Sequence, residues 1–159
     1  MSRIIRVEID DSAIAPATPE MEQERRVAIF DLIEDNSFQI PGREGEPVPD
    51  GPYVLELCIR EGRLVFDVTT EAAEKVVEFH LSFGPFRQVV KDYFQICQSY
   101  FDAVKRLPPA QIEAIDMARR GIHNRATELL IERLDGKVET DFATARRLFT
   151  LICVLHIKV

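Results

Sequence analysis

"YVLELCIREGRLVFDVT" (residues 53–69) alternates apolar and polar side chains in two runs joined by a glycine-bearing dipeptide. In the first run Leu55, Leu57 and Ile59 alternate with Glu56, Cys58 and Arg60. In the second, Leu64, Phe66 and Val68 alternate with Arg63, Val65 and Asp67. Successive side chains of a strand face opposite ways, so a period of two belongs to a half-buried strand rather than a helix. Glu61-Gly62 leaves two residues for the connection, the length of a tight hairpin, although glutamate is not the usual first residue of such a turn. "KVVEFHLS" (75–82) supplies another strand with Val77, Phe79 and Leu81 inward, which predicts an antiparallel meander over 53–82.

Outward from the meander, "RIIRVEI" (3–9) is short and β-branched and predicts a further strand. Thr18-Pro19-Glu20 then offers a capping hydroxyl, a proline for the first helical position and an acid for the first turn. The helix so opened runs to about Asn36 with Met21, Ala28, Ile29, Leu32 and Ile33 on one face. "IPGREGEPVPDGP" (40–52) has proline or glycine at seven of thirteen positions, which no regular element tolerates, and predicts a surface loop.

Beyond residue 84 the period changes to that of a helix. Phe86, Val89, Val90, Tyr93, Phe94, Cys97, Phe101 and Val104 recur at helical spacing until Pro108-Pro109 ends one helix and opens the next. Ile112, Ile115 and Ala118 precede Gly121; Ala126, Leu129, Leu130 and Leu134 follow it, up to Asp135-Gly136. Asp141 is placed to cap "FATARRLFTLICVLH" (142–156), whose second half is apolar nearly all round, as in a helix central to a core or lodged at a subunit contact. The pattern predicts an α+β protein of one domain over residues 1–159. Its antiparallel sheet of about four strands, the N-terminal strand plus the three-strand meander, packs against four to five mostly C-terminal helices.

Charge divides unevenly along the chain. Residues 1–83 carry a net −10 and residues 84–159 a net +3, within a total of −7. An acidic whole lacks the clustered positive charge that phosphate-backbone binding requires, which argues against nucleic acid as a partner while leaving room for one small-anion site. No secretion signal or membrane-spanning run is read from the sequence, and Cys58, Cys97 and Cys153 are far apart with no CxxC pair. That usage predicts buried thiols in a reducing cytoplasm. No phosphate-binding loop, dinucleotide fingerprint or nucleophile elbow is present, so no cofactor is implied.

Two polar constellations carry the functional expectations. In "MARRGIHNRA" (117–126), Gly121 costs about 1 kcal/mol relative to alanine inside a helix but suits a helix end. It predicts a break there, with Asn124 capping the next segment. Arg119, Arg120, His123 and Asn124, joined by Arg146 and Arg147 from the start of the last helix, then form a candidate anion cradle, with His123 as a candidate acid or base. Against this stands a structural reading in which Asp116 pairs with Arg119 and Arg120 at i+3 and i+4, and a third in which the cluster is a protein-contact surface.

The second constellation lies on the sheet. With Glu61-Gly62 as the turn, Glu56 faces Asp67, and the third strand brings either Glu78 or, shifted by two residues, His80 beside Asp67. Glu56, Asp67, Glu78 and His80 are thus weak candidates for holding a hard cation through oxygen ligands, against the plainer reading of a solvated outer face.

"RVAIFDLIEDN", "RLVFDV", "PFRQVVKDYFQICQSYF", "IEAIDMARRGIHN" and "DFATARRLFTLICVLH" together resemble a bacterial uncharacterised protein family, number 0262 in its series. The resemblance covers nearly the whole chain and implies a small cytoplasmic protein of a group best represented in alphaproteobacteria. It implies no established activity, cofactor or catalytic residue. The residues themselves support two functions: binding through a protein partner or self-association, or, alternatively, holding a small phosphate- or carboxylate-bearing molecule at the Arg/His cluster.

Overall fold

The computed structural model describes residues 2–10, 18–42 and 45–155. The main sheet has the order β1-β3-β4-β5, formed by Ile4–Ile9 (β1), Tyr53–Arg60 (β3), Arg63–Thr70 (β4) and Lys75–Ser82 (β5). The meander β3-β4-β5 is antiparallel, with Arg60 opposite Arg63, Cys58 opposite Val65 and Glu56 opposite Asp67, as the two-residue connection requires. Glu61 and Gly62 both take positive φ, 52° and 73°, the conformation of a primed turn. Holding a glutamate there costs about 1–2 kcal/mol, offset by a turn whose twist matches the strands it joins.

β1 departs from the expected pattern: it pairs with β3 in parallel. Parallel neighbours need a crossover of about a dozen residues or more, usually helical. The segment between them supplies one in α1 (Pro19–Glu34), followed by the two-residue strand β2 (Phe38–Gln39). Thr18 caps α1 as its side-chain oxygen accepts from the Met21 amide.

The outward rim of β1 is closed at one point by a side chain. Asn36, just past α1, accepts from the Ile4 amide through Oδ1 at 2.7 Å and donates through Nδ2 to the Ile4 carbonyl at 2.8 Å and the Leu32 carbonyl at 2.6 Å. The Arg3 guanidinium donates to the Ile33 carbonyl beside it.

The helical layer comprises α1, α2 (Arg87–Arg106, entered through a 3-10 turn at Gly84–Phe86), α3 (Pro109–Leu134) and α4 (Phe142–Leu155). Asp141 caps α4, its Oδ1 accepting from the Thr144 amide at 2.7 Å. Just before it, β6 (Glu139–Thr140) pairs with β2. Every residue from Leu148 to Leu155 is buried; α4 packs on α1, on α3 and on β3. The apolar helix is therefore central to the core. The described range stops at Leu155, so His156 and the end of the expected helix lie outside it, as do Arg43 and Glu44 of the 40–52 loop.

The predicted break at Gly121 is absent: α3 runs through it. One glycine costs less than interrupting the hydrogen-bond ladder of a helix whose second half is anchored by buried Ala126, Leu130 and Leu134. A Cβ at 121 would meet nothing within 4 Å, so no neighbour demands glycine there. The predicted face of α2 also shifts at its end, where Ala103 is buried and Val104 is exposed.

Candidate functional site

An unbroken α3 rules out a pocket made by a kink, yet the guanidinium groups still meet. Helices repeat every 3.6 residues, so Arg119, Arg120 and His123 share one side of α3, while Arg146, Arg147 and Thr150 have the same spacing on α4. Where the two helices cross, these six residues line one cleft of about 260 Å³, with Tyr93 of α2 and, from α1, Glu24, Val27, Ala28 and Asp31. The α1 residues follow the i, i+3, i+4, i+7 spacing of a helix stripe.

Asn124 is not among them. One residue beyond His123 on a continuous helix, it is rotated by about 100° away from the cleft and is exposed; its predicted capping role disappears with the break.

His123 fastens the two helices together. Its Nε2 lies 2.9 Å from the Arg146 carbonyl oxygen and 3.2 Å from the Thr150 hydroxyl. A carbonyl only accepts, so Nε2 carries the proton. The ring is 7% exposed and stands between Tyr93 and Phe149, at 4.9 and 5.7 Å between centroids. Burial, with Arg146 and Arg119 nearby, pulls its pKa down to about 4 despite the bond to the carbonyl. The imidazole is therefore neutral near pH 7, its single N–H committed to a structural bond.

The arginines are not equivalent. Asp116 serves both Arg119 and Arg120: Oδ1 accepts from Arg119 at 2.7 Å and Oδ2 from Arg120 at 2.5 Å. These two bonds, Arg120's first, hold the Asp116 carboxyl below its ordinary pKa. Arg119 also lies over the Tyr100 ring at 4.1 Å, a cation–π contact. The structural ion pair expected at i+3 and i+4 is thus real, but one carboxylate is shared between two guanidinium groups.

Arg147 donates to the Asp35 carbonyl at 3.0 Å. Among the described residues neither Arg146 nor Arg147 forms an ion pair. Both are half-buried in the first turns of α4, where the helix dipole disfavours a cation.

Sequence reasoning missed four polar contributors. Glu24 and Asp31 flank Ala28 on α1, a legible signal, since the predicted apolar face already included Ala28. Tyr93 reads as core and is core, but its hydroxyl donates to Glu24 Oε1 at 2.9 Å; burial pushes that hydroxyl well above its usual pKa. Thr150 is visible only once the cadence of Arg119, Arg120 and His123 is compared with that of Arg146, Arg147 and Thr150.

The sheet constellation resolves differently. Asp67 pairs with Glu78, and Glu8 lies opposite Glu56, so a carboxylate from each strand joins one row across the face turned away from the helices. His80 is opposite Val65, which excludes the register that would set it beside Asp67. It bonds instead to Glu78 at 3.2 Å, and Arg60 bonds to the same carboxylate at 3.1 Å. These two hydrogen bonds, His80's first, hold the Glu78 carboxyl below its ordinary pKa. Glu56, Asp67, Glu78 and His80 are not assembled into a cation site: among the described residues no group of three or more His, Cys, Asp or Glu could hold a metal ion. The reason is spacing, because each strand offers one carboxylate to the row and flanking basic groups already take Glu78. Asp67 Oδ1 is buried with no hydrogen-bond partner among the described residues.

Cys58, Cys97 and Cys153 are buried free thiols, as their isolation in the sequence predicts. Burial pushes Cys97 up to about 12, so it is a packing group rather than a nucleophile. Among the described residues no helix is long and apolar enough to cross a membrane.

Fold and cleft together define an α+β protein in which a mostly antiparallel sheet backs four helices, and three of those helices enclose a charged hollow with a fourth touching its floor. The family profile described as "Uncharacterised protein family (UPF0262)" matches residues 1–158, and the chain belongs to that family. A relative from Roseobacter denitrificans is 70% identical over 156 residues, 98% of each chain. Another, from Paracoccus denitrificans, is 71% identical over 154 residues, 97% of this chain and 95% of its own. A third, from Dinoroseobacter shibae, is 70% identical over 156 residues, again 98% of each chain. All three are named UPF0262 proteins. No solved structure matches the chain.

Proposed function

We propose that this is a cytoplasmic binding protein for a small molecule bearing a phosphate or carboxylate, seated in the cleft between α1, α3 and α4. The observation that carries the reading is the convergence of Arg119, Arg120, Arg146 and Arg147 on one hollow, with Arg146 and Arg147 half-buried and lacking a carboxylate partner among the described residues. Bidentate guanidinium–oxyanion bonds are strong where water is partly excluded. Binding rather than catalysis is favoured because the His123 proton is committed to the Arg146 carbonyl and the ring's low pKa makes it a weak base near pH 7.

Phosphate or succinate at about ten times its Kd is expected to stabilise the native protein by about 1.4 kcal/mol, a rise of roughly 3–6 °C in Tm. Arg146→Ala and Arg147→Ala should fold normally and lose that rise, since each removes charge-assisted bonds worth about 1.5–3 kcal/mol. A differential scan with millimolar phosphate, succinate and malate decides it; an unmoved Tm with every anion defeats the reading.

A second reading rests on a separate feature. Val27 and Phe30 of α1 are 45% and 68% exposed, unusual for large apolar side chains neighbouring a cleft. They support action through protein contact or self-association. Sedimentation velocity over roughly 1–100 μM, the weak end of interface affinities, is expected to show a reversible dimer that Phe30→Ser dissociates; a monomer throughout counts against it.

A further inference from the structure

The cleft has walls of opposite sign. On α1, Glu24 and Asp31 stand two turns apart, about 10 Å along the axis, and both are half-buried. Tyr93 donates to one oxygen of Glu24, which leaves that carboxylate's charge uncompensated. Neither Glu24 nor Asp31 forms an ion pair among the described residues. Facing them across the hollow are the guanidinium groups of Arg146 and Arg147, equally without a carboxylate, while Arg119 and Arg120 share Asp116. Acids and bases therefore line one small space without closing on each other.

A simple dianion would satisfy the basic wall but meet repulsion from two carboxylates; a dication would meet the reverse. A molecule with both charges satisfies the two walls at once, because each partly buried charge gains an opposite partner in place of lost water. Volume narrows the choice further: about 260 Å³ falls just below the range of roughly 300–1,000 Å³ usual for small-molecule pockets. That suits something of amino-acid size. Val27 and Ala28 lie between the two acids on α1 and provide apolar contact for a short carbon chain.

Resting on the proposed function above, we infer that the ligand of this cleft is a small zwitterion, whose ammonium group is held on the acidic wall by Glu24 or by Asp31 and whose carboxylate is held by Arg146 and Arg147.

The test is isothermal titration of the full chain with three four-carbon probes matched in length: succinate, γ-aminobutyrate and putrescine. The twenty protein amino acids, titrated singly, cover zwitterions with the two charges closer together. At least one zwitterion is expected to bind tenfold or more tightly than succinate or putrescine. Glu24→Gln with Asp31→Asn should weaken that zwitterion at least tenfold while leaving succinate unchanged or tighter, since the repelling charge is gone. The amide introduced by Glu24→Gln still offers an oxygen to the Tyr93 hydroxyl, and a thermal melt verifies folding of the variant; Arg146→Ala should weaken the zwitterion and succinate alike. If succinate binds as tightly as every zwitterion, the zwitterion assignment is overturned and the anion site stands. If no probe binds at all, both fall together.

Discussion

Lowering the pH from 7 to 4 is expected to remove about 3 kcal/mol of folding stability through His123 alone. The imidazole has an ordinary pKa of 6.5 and a folded value of about 4, and each unit of difference is worth about 1.4 kcal/mol. The sign follows from which state binds the proton. Between 6.5 and 4 the unfolded chain takes up a proton that the folded chain refuses, so stability is full above about 6.5 and falls steadily through that window. Asp116 and Glu78, held below their ordinary 3.8 and 4.5, also lose stabilisation as pH falls, but from about those values downward. His123 therefore dominates the upper part of the fall. Replacing it with glutamine keeps an N–H in reach of the Arg146 carbonyl and removes the titration. Urea unfolding at pH 7, 5.5 and 4 should show the native protein losing the extra stability and His123→Gln losing much less; parallel pH profiles would show that this imidazole is not the titrating group.

Asn36→Ala is the second large effect, at about 2–5 kcal/mol. Its side chain makes three hydrogen bonds, two of them to the amide and carbonyl of Ile4, a fully buried residue. Removing them strands both backbone groups, and a buried polar group without a partner costs about 1–3 kcal/mol. No neighbouring strand lies on that side of β1 to replace the bonds. Asn36→Asp separates size from donor capacity: its carboxylate still accepts from the Ile4 amide but sets an oxygen against the Ile4 and Leu32 carbonyls, so it too should be destabilised. Chemical denaturation of the three proteins measures this; a loss under about 0.5 kcal/mol for alanine, the usual bound for an ordinary surface change, would refute the account.

The elements governed by local rules were legible in the sequence. The meander register follows from a two-residue turn, Thr18 and Asp141 cap the helices that their positions predict, and the all-round apolar character of Leu148–Leu155 anticipated a helix inside the core. What failed was competition between local and distant effects. Gly121 reads locally as a stop signal, but packing of the residues after it carries α3 through. The direction of β1 depends on where the chain goes between residues 10 and 53, which no period reveals. The arginines and His123 were found for the wrong reason: a straight α3 crossing α4, rather than a kink, brings them together. Glu24 and Asp31 were passed over because an acid on a surface helix reads as solvation until the facing wall is known.

The position of α4 has a consequence for how the chain is made. A ribosome delivers the meander well before residues 142–155, and α1 and α3 also wait for α4 as their common packing partner. During that interval Leu55 and Leu57 of β3, both fully buried at the end, lack the part of their eventual cover that α4 supplies. Nascent chains with exposed apolar strands are the usual clients of chaperones. The keystone of this core is thus made after the strands and helices it covers, and these must be kept from sticking until it arrives.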